Sequence, residues 1–105
     1  MNQPTATQTA SALEVTIVHA SACHLCDDAE AALAELATRV PLRVAHVDAT
    51  SEAGQRLLLA HRAGMLPLVL IDGRFFSSGR VPRGALHLVE SDWSQARTSR
   101  PGEVS

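Results

Sequence analysis

Apolar positions along the chain change their period several times, and each change marks an element. Leu13, Val15 and Ile17 alternate with Glu14 and Thr16 as a half-buried strand requires, and Val18 extends the apolar run. Beyond Cys26 the spacing turns helical. Ala29, Ala32, Leu33, Leu36, Ala37 and Val40 share one face, while Asp27, Asp28, Glu30 and Glu35 mostly fall off it. The early acids suit the positive end of the helix dipole, Arg39 suits the negative end, and Pro41 stops the run. Leu42 to Val47 reads as a second strand, which the helical crossover makes parallel to the first.

Thr50 or Ser51 can cap a second helix over about Glu52 to Ala63, with Leu57, Leu58 and Ala60 on its buried side and Gly64 ending it in the left-handed conformation. Leu68-Val69-Leu70-Ile71 is too short for a helix and apolar on both faces, as a central strand is. Asp72-Gly73 predicts a two-residue hairpin turn, with Arg74 to Ser77 returning antiparallel. Pro82 suits the first turn of a last helix striped by Leu86, Val89 and Trp93. The predicted order is β-α-β-α-β-β-α, an α/β domain over residues 13–93 between flexible tails at 1–12 and 94–105.

Composition narrows the chemistry. The 105 residues allow one domain of ordinary size, with 46% hydrophobic residues and a net charge of -2. All nine basic residues are arginines, so lysine Schiff-base chemistry is excluded, and the absence of tyrosine removes a phenolic acid. The arginines are dispersed, which predicts no nucleic-acid partner. No apolar stretch approaches the roughly 18 residues that span a bilayer, so no membrane partner is expected. The first twelve residues lack the pattern of a secretory signal, which points to the cytoplasm.

The only two cysteines, Cys23 and Cys26, stand where the first strand gives way to the first helix. In a reducing compartment such a pair is catalytic or metal-binding rather than a staple, and a bridge across two residues removes little unfolded-state entropy. Disulfide exchange needs a thiolate. A sulfur on Cys23 can accept hydrogen bonds from unpaired amides at the helix start and feel the dipole's positive end. Protonated His24 would add to that stabilisation, as a candidate tuner of the Cys23 pKa, while Asp27 and Asp28 oppose it. The helical period places Cys26 with Ala29 and Leu33 on the inward face, so Cys23 is expected exposed as nucleophile and Cys26 partly buried as resolving thiol. Met65, Leu66 and Pro67 lead into the central strand and can line a substrate groove. Local sequence alone favours a trans Leu66-Pro67 bond.

The combination of Cys23-His24-Leu25-Cys26, Leu66-Pro67, Asp72-Gly73 and the element order resembles the thioredoxin superfamily. Within it the chain looks most like the glutaredoxin-like proteins, a small bacterial Cys-His-Leu-Cys group in particular. The resemblance covers about Leu13 to Trp93. It implies a thioredoxin-like fold with a four-stranded mixed sheet flanked by helices, a cis Pro67, catalytic Cys23 and Cys26, and thiol-disulfide oxidoreductase activity. Three departures concern substrate. Glutathione-using members carry a basic residue where this chain has Ala20 and an aromatic one where it has Leu25. Their Gly-Gly and acidic segment is matched only loosely by Ser77-Ser78-Gly79-Arg80, where Arg80 could bind a substrate carboxylate. Ile17 takes the place of thioredoxin's buried acid.

The expected substrate is a disulfide-containing protein or a low-molecular-weight thiol, with no tightly bound cofactor and with glutathione, another small thiol or a reductase recycling a monomeric enzyme. Two alternatives stand beside it. One is a redox-sensing or protein-binding module; the other is a metal- or iron-sulfur-binding protein, for which His19, His24 and His46 are available although no second paired ligand motif accompanies the cysteines. His46, His61 and His87 read as surface or structural residues, and His19 as ending the first strand near the site.

Overall fold

A computed structural model describes residues 12–98. Its elements are β1 (Leu13–His19), α1 (His24–Leu36), β2 (Leu42–Asp48), α2 (Glu52–Ala60), β3 (Leu68–Ile71), β4 (Arg74–Ser78) and α3 (Arg83–Thr98). The α/β order β-α-β-α-β-β-α is therefore present as expected. The sheet runs β2-β1-β3-β4, with β1 parallel to β2 and antiparallel to β3, and β3 antiparallel to β4.

Alternation along the strands sorts side chains onto two unequal faces. Val15, Ile17 and Val69 point to the face covered by α1 and α3, where they bury Ala29, Ala32, Leu33, Leu36, Val40, Val81 and Leu86. Val18, Leu68 and Leu70 point to the other face, where Ala49 is buried with them and Leu57 and Leu58 of α2 pack only partly.

Helix α1 stops earlier than its apolar spacing suggests. It ends at Leu36, after which tighter bonds from Thr38 N–H to the Glu35 carbonyl (3.2 Å) and Arg39 N–H to the Leu36 carbonyl (2.9 Å) carry the chain to Pro41. Val40 is buried nonetheless, so the spacing reported burial and not helix. Arg39 lies outside the last turn and pairs with Glu90 of α3 at 2.9 Å instead of capping the helix.

Helix α2 is capped by Ser51, whose Oγ accepts from Gly54 N–H at 3.0 Å. Its end corrects the expectation about Gly64. Arg62 takes the left-handed conformation (φ 50), and Ala63 N–H bonds the Leu58 carbonyl (3.0 Å) while Arg62 N–H bonds that of Leu59 (3.1 Å). This paired pattern is a Schellman ending, which closes the helix two residues before Gly64. Nor is Ala60 on the buried side, because Gly54 is the buried residue of α2 and Ala60 is exposed. A β-carbon at Gly54 would run into the Asp48 carbonyl oxygen, so its lack of a side chain sets how closely α2 approaches β2.

The β3–β4 turn is formed by Asp72 (φ 52) and Gly73 (φ 80), the two positive values of a type I′ hairpin. The return strand is not a plain alternation. A register shift between Val69 and Leu70 pairs Leu70 with Phe75 and Val69 with Ser77, leaving Phe76 as the extra residue. Helix α3 continues past Trp93 to Thr98, so part of the expected C-terminal tail is helical. Residues 1–11 of the expected N-terminal tail and the stretch from 99 onward lie outside the described residues.

Candidate active site

The loop leaving β1 turns through Ala22 (φ 52) and delivers Cys23 to the N-cap of α1 in extended conformation. Ser, Thr or Asp oxygen commonly fills this role. Here the Cys23 Sγ does so, accepting the Cys26 N–H at 3.2 Å, while the Cys23 carbonyl accepts from Asp27 N–H at 3.0 Å as the first turn closes. A negative charge on that sulfur would face the unpaired amides and the positive end of α1. Cys23 is half-buried, less exposed than the helical period alone suggested.

Cys26 differs in every respect that matters to thiol chemistry. It is 3% exposed, on the face of α1 that packs into the core, and is buried more fully than expected. Burial pushes its thiol up from the usual 9.0 to about 11, with hydrogen bonding to and charge on Cys23, and the charge of Asp27, acting in the same direction. The Ala20 backbone opposes this by hydrogen-bonding to the sulfur. Cys26 is therefore a protonated thiol at neutral pH. Both cysteines are free.

Pro67 enters the sheet at the same end. Val18 pairs with Leu68, which brings Pro67 beside the point where the Cys23 loop departs. The Leu66-Pro67 peptide is cis, as the resemblance implied and local sequence did not. Pro67 is buried, Leu66 half-buried and Met65 56% exposed. The segment is held from one side only. Ser78 Oγ donates to the Met65 carbonyl (2.7 Å) and accepts the Met65 N–H (3.1 Å), and Gly79 N–H donates to the Pro67 carbonyl (3.0 Å). Among the described residues the backbone of Leu66, between these anchors, has no partner. Arg80 follows the anchor and is exposed, as is His24 at the first position of α1.

Sequence reasoning missed two features. Ser78 carries no signal of its role as anchor of Met65. The second is a group of ionisable side chains where β1 and β2 end, which the parallel register could have revealed. His19 stands opposite Asp48, and His46 opposite Ile17. The His19 and His46 rings meet edge to face at 5.6 Å between centroids, and His46 Nε2 lies 3.1 Å from a Glu30 carboxylate oxygen of α1. Asp28 pairs with Arg83 at 3.2 Å. Among the described residues no three His, Cys, Asp or Glu side chains are grouped to hold a metal ion. Nor is any helix among them long and apolar enough to cross a membrane.

No family model matches the chain, and no curated protein does. Among solved structures, the crystal structure of Trxlp from Edwardsiella tarda EIB202 matches with a TM-score of 0.50. It is 22% identical to this chain, and the match covers 85% of this chain and 93% of that one. At this identity the likeness concerns fold alone, and it agrees with the element order and mixed sheet described above: the fold is thioredoxin-like.

Proposed function

We propose that the protein is a thiol-disulfide oxidoreductase of glutaredoxin-like character acting in the cytoplasm. The observation that carries this reading is the asymmetry of the two sulfurs. Cys23 caps a helix and is partly open, whereas Cys26 is buried and held as a thiol. A fixed structural pair would have no use for that difference.

In the proposed reaction the Cys23 thiolate attacks a substrate disulfide R–S–S–R′, forming Cys23–S–S–R and releasing R′–S⁻. Cys26 then loses its proton and attacks the Cys23 sulfur, and R–S⁻ leaves as the intramolecular disulfide forms. A small thiol such as glutathione, or a reductase, returns the two electrons. Leu66 would pair its free backbone with an extended substrate segment, Met65 and Pro67 would line the groove, and Arg80 would receive a carboxylate. The partner is a disulfide-containing protein or a low-molecular-weight disulfide, met by a monomer without resident cofactor.

The test compares reduction of a protein disulfide and a glutathione mixed disulfide by wild type, Cys23→Ser and Cys26→Ser. Cys23→Ser is expected to be inactive on both, and Cys26→Ser to accumulate a covalent mixed disulfide visible by mass spectrometry. Wild-type turnover by Cys23→Ser would refute the mechanism. Oxidation that changes partner affinity without multiple turnovers would identify a sensor instead.

A further inference from the structure

The proposed reaction leaves one proton without a destination. Cys26 cannot attack while it carries its hydrogen, and burial makes that hydrogen hard to lose. The residue six positions before Cys23 is Ile17, wholly buried in the apolar core, so β1 offers no carboxylate beneath the sulfur. The ionisable groups at the C-terminal end of β1 are of another kind.

Alternation along β1 puts His19 on the same face as Val15 and Ile17, the face that α1 covers. The adjoining Ala20 backbone hydrogen-bonds to the Cys26 sulfur, which ties the end of β1 to that thiol. His19 is half-buried, with His46 against its ring. His46 is itself fixed by Glu30 of α1, which stands about one turn beyond Cys26 on the same helix. On the other side stands Asp48, the register partner of His19. Hydrogen bonds from the Thr50 hydroxyl (2.6 Å) and Thr50 N–H (2.7 Å) hold the Asp48 carboxyl below its usual range, and the charge of His19 adds to this.

We propose that His19, oriented by His46 and Glu30 and faced by the Asp48 carboxylate, accepts the proton that Cys26 releases as it attacks the Cys23 mixed disulfide. This rests on the dithiol reading above. The proton passes from the Cys26 sulfur to the imidazole, and the sulfur's freed electron pair forms the Cys26–Cys23 bond. The Cys23–S–R bond breaks, and the departing R–S⁻ takes the proton back from the imidazolium. No further oxidant or reductant enters. Asp48 supplies a fixed negative charge beside the cation that the transfer creates, the part an orienting carboxylate plays for a general base. The other charged groups facing this locus are Glu30 and Asp27 from α1 and His46 from β2; β3 brings none there. His46 is a positioning residue.

The experiment uses reduced full-length protein mixed rapidly with excess 5,5′-dithiobis(2-nitrobenzoate), which reads the two steps separately. Attack by Cys23 releases one thionitrobenzoate and attack by Cys26 releases a second, so Cys26→Ser marks the first phase alone. In His19→Gln the ratio of the second rate constant to the first is expected to fall about a hundredfold near pH 7, the lower end of a general-base contribution. The deficit should shrink as the pH is raised toward about 9, where hydroxide replaces the lost base. His46→Gln, on a half-exposed ring, should lower the ratio in the same direction by a smaller factor. An unchanged ratio in both variants, or a deficit equally large at both pH values, overturns the proposal. A wild-type protein that releases the first thionitrobenzoate but never the second overturns the dithiol reading itself, whatever the histidine variants do.

Discussion

The two faces of the sheet are built by different means. Under α1 and α3, ten side chains form one buried cluster, and the inward stripe of α1 runs continuously from Cys26 to Leu36. Under α2 the buried cluster has four members, and the helix contributes half-buried leucines and a glycine. The first face is held by volume; the second is held by close approach and end-capping. Cys26 belongs to the first face, so its environment is set by the best-packed part of the molecule. The Met65–Leu66 segment borders the second, where exposed Met65 and Phe75 leave apolar surface open.

The contrast can be broken from either side. Leu36→Ala removes a side chain that is 1% exposed in the larger cluster and should cost about 3–4 kcal/mol by denaturant titration, as buried leucine truncations do. Leu58→Ala on the thinner face should cost about 1 kcal/mol, since a half-buried side chain loses less area. Equal costs would erase the distinction. Gly54→Ala asks whether close approach holds the second face. Its methyl would meet backbone that cannot move aside, and a net loss of about 2 kcal/mol is expected despite alanine's better helix propensity.

A third measurement concerns Cys26. Its pKa is raised on folding, from 9.0 to about 11, so the native state keeps its proton over a window in which the unfolded chain has lost it. Stability is then fully present below about pH 9 and is lost as pH rises toward about 11, by on the order of 2 kcal/mol. Reduced wild type should show this decline and Cys26→Ala should show less of it; identical pH profiles would remove burial as the cause. An effect of the opposite sign is expected at Ser77. Its Oγ is buried without a hydrogen-bond partner on the larger-cluster side of β4, so Ser77→Ala should raise stability by about 1 kcal/mol. A loss would mean that the hydroxyl is satisfied in solution.

Periodicity made the frame legible because burial on one face leaves a regular trace in sequence. The alternation of Leu13, Val15 and Ile17, the α1 stripe and the Asp72-Gly73 turn each carried their element. Endings were less legible. Gly64 looked like the terminator of α2, but a Schellman pair closed the helix at Arg62, where tertiary packing outweighed the ordinary preference for glycine. The bulge at Phe76 left no trace, since two adjacent phenylalanines fit either face of a strand. In the candidate site the cysteine pair and Pro67 were visible as motifs. Ser78 and the His19–His46 contact were not, because each depends on which residues two strands bring side by side.

The Ser78 clasp separates two jobs that a binding loop usually performs with the same atoms. Met65 and Pro67 are fastened through their backbones to Ser78 and Gly79, while the half-buried Leu66 side chain between them packs against the smaller cluster. Residue 66 is thus an address written on a frame its neighbours hold: under the proposed dithiol reaction, apolar substitutions there should change which disulfides are preferred while the bonds from Ser78 and Gly79 keep the loop in place.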